Sequence, residues 1–410
     1  MKIKKPFDGE IYRRSQKAII HGALTNSKRP ESFVQGVYPT HLTHGLGAHV
    51  FDTKGNRYID FIAGLGSNLF GYANQDINEA IIKQASKGTS LSLGTTLEVE
   101  TAERIKEFFP FIDKIRFVKT GSEACTAACI MARAIKGKRN AFLRCAENIL
   151  SEGYHGWHPE FQSLNPPHYG VTNHLHIKKL AHGDPDTYDA GLIIEPVITD
   201  SSEQRFEYLK KLKIQCNETD TMLIFDETIT GLRYQNHSVA ASCGITPDII
   251  ILGKAIASGM PLSVIGLTKE TDQEFFVSST FAGETLSLAA CNKTLWLLKN
   301  KFDINYLWEK GADFYAKFNA LGADCIRLEG YPTRGRFVGT DLNRALFFQE
   351  ACKAGILLGP SFFLTFAAIE YLDDVLNTFS DIFLKIKTGS VELEGQLPKS
   401  PYAEKVRENL

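Results

Sequence analysis

TMLIFDETITGLRYQNHSVAASCGITPDIIILGK, residues 221–254, decides the fold. Its apolar runs are TMLIFD (221–226) and DIIIL (248–252). Neither alternates apolar with polar residues, so neither has a wet face. Strands buried on both faces belong to sheets covered by helices, and such sheets are mostly parallel. The same texture continues outward: IRFV (115–118), AFLRC (141–145) and GLIIEPV (191–197) come before, and SVIGL (263–267) after. Segments with helical spacing separate these runs. The reading is an α/β chain built on a mainly parallel sheet.

Outside this stretch the pattern changes. Residues 10–24 have helical spacing, and the chain to about Ala48 is loop-rich. HVFDTKGNRYIDF (49–61) reads as strands around a turn at Lys54-Gly55-Asn56. Residues 76–87 and 97–109 have helical spacing. After Trp296-Leu297-Leu298 comes helix, strand, strand, helix, strand, then a last helix near 370–388. The expected organisation is a large domain at 60–295 and a small α+β domain at 296–410, with segment 1–59 joining the small one. A length of 410 residues suits such a division at about 150 residues per domain.

Composition narrows the function. Lys plus Arg number 46 against 47 for Asp plus Glu, a net charge of −1. Nucleic-acid binding needs a basic excess, and this chain has none globally. Hydrophobic residues make up 43% and charged residues 23%, ordinary for a folded globule. The 8 cysteines include no CxxC pair and read as small buried side chains in a reducing compartment. The start, MKIKKPFDGEIYRRSQ, is basic, but no apolar run comes after it as in a secretory signal. No stretch approaches the ~20 apolar residues that span a bilayer. The expectation is a soluble cytoplasmic protein acting on small molecules, with neither nucleic acid nor membrane as partner.

In open α/β sheets, ligands sit beyond the carboxyl ends of the strands. The residues just past each apolar run are therefore the first candidates for a site. After IRFV come Gly121 and Ser122 at the start of a helical stretch, where amides and helix dipole suit a phosphate. A plain Ser cap gives the same pattern. After AFLRC comes EGYHGWH (152–158), in which Tyr154 or its neighbour His155 could stack on a flat ligand or pack on the core. TMLIFD ends in Asp226, which could pair with a cationic ring nitrogen, bind a metal or cap a helix. DIIIL leads to Gly253-Lys254, and a partly desolvated amine is a nucleophile toward carbonyls. A phosphate nest, a stacking aromatic, an acid and a Schiff-base Lys are together the parts that pyridoxal 5'-phosphate requires. No GxxxxGK[ST] or GxGxxG is present to favour a nucleotide instead.

The chain resembles the class III pyridoxal-phosphate-dependent aminotransferases, and among them the glutamate-1-semialdehyde aminomutase branch. The matching pieces run from about 25 to 390. They are GNRYIDFIAGLGSNLFGYA, LEVETAERI, FVKTGSEACTAACIMARAIKGK, EGYHGWH, IIEPV, LIFDETITGLR, PDIIILGKAIASGMPLSVIG, STFAGETLSLAA and LFFQEACKAGILLGPS. The resemblance implies fold type I, with a seven-stranded, mostly parallel sheet in the large domain and a small domain beside it. It implies Lys254 as the Schiff-base residue, Asp226 as partner of the ring nitrogen, and Gly121 and Ser122 as the phosphate loop. It puts Tyr154 on one ring face, with His155 beside it, and Glu195 of the EPV motif near the site. Thr228 stands where the family usually has Val, against the other face. Thr280 matches a Thr that reaches the phosphate of the neighbouring subunit's cofactor, which implies a homodimer with shared sites.

Departures bear on the substrate. The aminomutase branch has Asn shortly after EPV; here Val197 is followed by Ile198-Thr199-Asp200. The segment from His158 to Gly191 is shorter than in the aminomutase, where it includes a lid that retains an intermediate. A transaminase must release its first product, so the shorter segment favours transfer between separate substrates. The expected function is ping-pong transfer of an amino group, plausibly from glutamate, to a small ketone or aldehyde. The alternatives are an intramolecular aminomutase and a non-catalytic relative that only binds. Arg233, Arg334 and Arg336 are candidates for a substrate anion. Tyr38 and Pro39 are candidates to shape the pocket, and His41, His44 and His49 read as structural.

Overall fold

The computed structural model describes residues 6–137, 142–145, 177–179, 187, 189–322 and 324–399. The chain divides into Gln75–Asn305 and a unit made of Met1–Asn74 with Tyr306–Leu410. Strands are numbered along the chain.

In the N- and C-terminal unit, β1 (Leu42–Leu46), β2 (His49–Asp52) and β3 (Arg57–Asp60) form an antiparallel run. The short β13 (Ile356–Leu357) joins β3 in parallel. A second sheet has the order β11 (Ile326–Tyr331), β12 (Arg334–Gly339), β14 (Ser361–Phe363). Stacked and edge-on aromatic rings fill the space between this sheet and its helices, with Phe314, Phe318, Phe347, Phe362 and Phe379 fully buried. The expected helix over 10–24 stops at Ala18, because Ile19 is extended and His21 and Gly22 take positive φ. Its β-branched Ile19-Ile20 pair favours that break. The stretch read as loop before Ala48 contains β1, a mostly exposed strand that lacks an apolar period for the sequence to show. His44 stacks on Phe51, His49 meets the Tyr371 ring edge-on, and the Tyr38 hydroxyl donates to the Leu358 carbonyl at 3.0 Å, so these residues hold structure.

The unit Gln75–Asn305 holds the large sheet. Among the described residues it has 7 strands in the order β4-β10-β9-β8-β7-β5-β6. These are β4 (Lys114–Val118), β5 (Phe142–Cys145), β6 (Ile177–Lys179), β7 (Asp189–Ile194), β8 (Met222–Glu227), β9 (Ile249–Leu252) and β10 (Ser263–Leu267). All run parallel except β10, which is antiparallel to both its neighbours. β7, β8, β9 and β10 are buried along their whole length, as their unbroken apolar runs require. The helix Gly121–Ile135 lies on one face through Ala124, Cys125, Ala127, Ala128, Cys129, Met131 and Ala132, all buried. These small side chains let it sit close against Ile193, Ile224, Ile251 and Ile265. Cys125 and Cys129, one turn apart, are buried and outside any disulfide. No helix among the described residues is long and apolar enough to cross a membrane.

Candidate active site

Strand order decides which loops meet. Because β10 is antiparallel between β4 and β9, those strands run the same way, and so do β8 and β7. Their carboxyl ends line one edge of the sheet, where Ser263 opens β10 opposite Val118. Along that edge stand Lys119–Ser122, Ser263, Gly253–Lys254, Asp226–Thr228 and Glu195. The structure thus brings Gly121, Ser122, Lys254, Asp226, Thr228 and Glu195 to one edge of one unit. Tyr154 and His155 lie outside the described residues. Thr280 is exposed, in a turn ahead of the helix Thr285–Asn300.

Gly121 and Ser122 are the first two residues of their helix. The cap is Thr120, not Ser122: its Oγ1 accepts from Glu123 N at 3.2 Å, and Glu123 Oε2 accepts from Thr120 N at 2.8 Å. This reciprocal box fixes where the helix starts. The N–H groups of the first turn then point out of the helix end, toward the side where an anion is favoured.

Lys254 comes two residues after the end of β9, half-buried, with φ +43°. A left-handed conformation disfavours a side chain by about 1–2 kcal/mol, so the neighbours impose it. Gly253 shows how. A Cβ there would stand 2.8 Å from Thr228 Cγ2 and 3.0 Å from Ser263 Oγ. The backbone before Lys254 is therefore pressed against the ends of β8 and β10.

Asp226 and Glu227 end β8 on opposite faces of the sheet, because side chains alternate along a strand. The Asp226 carboxylate is buried on the side of the helix Gly121–Ile135. Its Oδ1 accepts from Thr228 N at 3.1 Å and from Thr228 Oγ1 at 2.5 Å. Its Oδ2 takes the Cys125 thiol at 3.5 Å. The Glu227 carboxyl, fully buried, takes Thr230 Oγ1 at 2.7 Å and the amides of Val239 and Ala240 at 2.8 and 2.9 Å. It so closes the loop after β8 onto the helix Val239–Cys243. Burial outweighs these donors and pushes the Glu227 carboxyl up to about 7. A folded-state pKa above the unfolded one means that Glu227 adds stability at low pH, which is lost as pH rises from about 4.5 to about 7. Thermal midpoints of the wild type should fall across that window relative to those of Glu227→Gln. Parallel curves for the two proteins would contradict the assignment.

Other residues support this edge. Arg205 donates to the carbonyls of Pro196 at 2.8 Å and Glu195 at 3.1 Å, holding the EPV turn. Lys119 pairs with Glu284 at 2.9 Å, and Glu284 caps the helix Thr285–Asn300. That pair ties the turn carrying Thr280 to the loop before Gly121. Asp200, near the place of the aminomutase's Asn, is exposed and accepts from Ser202 N at 2.9 Å. Arg233 is fully buried inside its unit, while Arg334 and Arg336 lie on β12 in the other. Sequence reasoning missed Glu227, Cys125 and the Lys119–Glu284 pair. For Glu227 a signal existed, an acid directly after Asp226 at the end of an all-apolar run. For the others the partners are too distant in sequence to suggest one another.

The donor set fits pyridoxal phosphate. A helix N-terminus suits its phosphate, a buried carboxylate that accepts from Thr228 and Cys125 suits its ring nitrogen, and a strand-end Lys suits its aldehyde.

Solved structures of this cofactor's enzymes share the fold. The FumI protein of Sphingopyxis sp. MTA144, in its PLP internal aldimine form, superposes with a TM-score of 0.83 at 22% identity, covering 95% of this chain and 98% of that one. A glutamate-1-semialdehyde aminomutase from Pseudomonas aeruginosa PAO1 gives 0.77 at 20% identity, covering 92% and 94%. These define a fold type I, pyridoxal-phosphate-dependent architecture. The chain belongs to the class-III aminotransferases, whose family profile matches residues 34–363. It is thus a pyridoxal-phosphate-dependent enzyme of that class. Among its relatives, the 3-aminobutyryl-CoA aminotransferase of Cloacimonas acidaminovorans is 31% identical over 322 residues, covering 73% of this chain and 75% of the relative. The glutamate-1-semialdehyde 2,1-aminomutase of Natronomonas pharaonis is 32% identical over 354 residues, covering 78% and 77%.

Proposed function

We propose that this protein is a two-substrate aminotransferase, taking nitrogen from an amino donor such as glutamate and passing it to a small ketone or aldehyde. The observation that carries the chemistry is Lys254 and Asp226 at the ends of adjacent parallel strands, beside the helix that starts at Gly121. When bound, the cofactor supplies an electron sink for the carbon that exchanges nitrogen. Asp226 would keep a proton on the cofactor's ring nitrogen by charge. Lys254 would hold the cofactor's aldehyde through its amine and would move the proton at the substrate carbon. Gly121 and Ser122 would bind the cofactor's phosphate, with Thr228 and Glu195 beside it, and the family resemblance would add Tyr154 and His155.

The short segment between His158 and Gly191 favours separate substrates over a retained one. We further propose a cytoplasmic homodimer in which Thr280 completes the partner's phosphate site. Uncovered apolar side chains near that turn support the dimer. Phe276 is 87% exposed, Phe281 57% and Leu93 85%. The segment before Leu93 is tied to the same region by the Thr285 amide, which donates to the Thr89 carbonyl at 2.9 Å.

A second reading, an intramolecular aminomutase of the glutamate-1-semialdehyde type, is favoured by the names of several relatives. Mixing the holoenzyme with amino donor alone separates the two. A transaminase should release one keto acid per site while the visible band of the bound cofactor bleaches. A mutase should release none. No bleaching with any donor would indicate a protein that binds without catalysing.

A further inference from the structure

We propose that Cys125 and Thr228 are positioning residues that clamp Asp226 from two sides, Thr228 fastening Oδ1 and Cys125 guiding Oδ2 as the oxygen that meets the ring nitrogen. This rests on the reading of Asp226 as the cofactor's partner.

A buried carboxylate is expensive unless donors compensate it, and its direction is as important as its charge. Oδ1 receives the backbone amide and the hydroxyl of the same residue, Thr228, at 3.1 and 2.5 Å. The hydroxyl cannot turn away freely, because the Thr228 methyl is wedged where a Cβ on Gly253 would stand 2.8 Å from it. Thr228 thus serves two neighbours with its two branches: carbon toward Gly253, oxygen toward Asp226.

Oδ2 receives the Cys125 thiol at 3.5 Å. A thiol is a weak donor, so it orients this oxygen while leaving much of its basicity for a stronger partner. A hydroxyl in the same place would compete harder. Burial pushes the Cys125 thiol well above its ordinary value, and the nearby Asp226 charge adds to this, so the group stays a donor. Cys125 also lies one turn along the helix whose first residues are Gly121 and Ser122. One rigid element therefore places the expected phosphate amides and the donor to Asp226 together. Packing alone would explain a small buried residue at 125. It would not require the sulfur to meet a carboxylate.

The test begins with cofactor-free protein, by infrared spectroscopy of the S–H stretch. The band lost in Cys125→Ala should lie lower in frequency than those of the other buried thiols, and should rise in Asp226→Asn. Thr228→Val keeps the shape and removes the donor. It should weaken cofactor binding about tenfold and Cys125→Ala about threefold, and Cys125→Ser, whose hydroxyl competes for Oδ2, should not bring binding back to the wild-type level. If Asp226→Asn does not fold, the comparison of the Cys125 band with the other thiols decides the contact by itself. A Cys125 band at the frequency of the other thiols, or unmoved in a folded Asp226→Asn, overturns the clamp whatever the cofactor does. A shifted band with unchanged cofactor affinity in both donor variants overturns the positioning role, whereas unchanged affinity in Asp226→Asn overturns the underlying reading of Asp226.

Discussion

Lys254→Ala is expected to abolish amino transfer, lowering turnover by at least about a thousandfold, while the protein still folds and still takes up cofactor. The size reflects the roles that one amine combines: a nucleophile toward the aldehyde and the acid/base at the substrate carbon. Acid/base catalysis alone contributes roughly 10²–10⁴. The backbone at this position permits a sharper comparison. Lys254 has φ +43°, a conformation that suits glycine and strains any side chain. Lys254→Gly should be as inactive as Lys254→Ala but more stable in urea unfolding, by about 1 kcal/mol. Keto-acid release from an amino donor measures the first expectation. Activity within tenfold of wild type in Lys254→Ala would remove Lys254 from the mechanism. Equal stabilities for the two variants would show that the left-handed turn carries no strain.

Asp226→Asn is expected to lower turnover by about 10²–10³, the scale of removing one preorganised electrostatic partner from a water-poor site. Here the loss is of charge in a nearly unchanged shape. The amide keeps an oxygen for Thr228 but presents no anion to a ring nitrogen. Cofactor-free variant and wild type should melt within a few degrees of each other, because a buried charge has been exchanged for a neutral group of the same volume. The cofactor-loaded forms should differ more, since the stabilisation that binding brings scales with affinity. Comparing the melting shift on adding pyridoxal phosphate to each protein tests this directly. An equal shift for both would mean that the charge at 226 does not engage the cofactor.

Burial writes itself into sequence, and that made part of this molecule legible. Strands enclosed on both faces have no polar positions, so TMLIFD and DIIIL announced themselves, and the parallel sheet with them. The residues just past such runs stand at the sheet edge by topology, which made Asp226, Lys254 and Gly121 legible. A mostly exposed strand such as β1 carries little apolar signal, because most of its side chains have no core to pack on.

The sequence by itself therefore determined the α/β class, the family resemblance and the candidate groups at the sheet edge. Only the tertiary structure decided how those groups are held. The Cys125 thiol and Asp226 are 101 residues apart and meet because a helix lies across the strands. The Thr228 methyl meets Gly253 because β9 lies beside β8, and Lys119 reaches Glu284 across 165 residues. The hydroxyl that Thr228 adds to the family's usual Val turned out to be an Asp226 donor, and the acid beside Asp226 a brace for the next helix. Periodicity records whether a residue is buried. It carries no record of which distant residue shares that burial, because that depends on strand order and on chain closure over long loops.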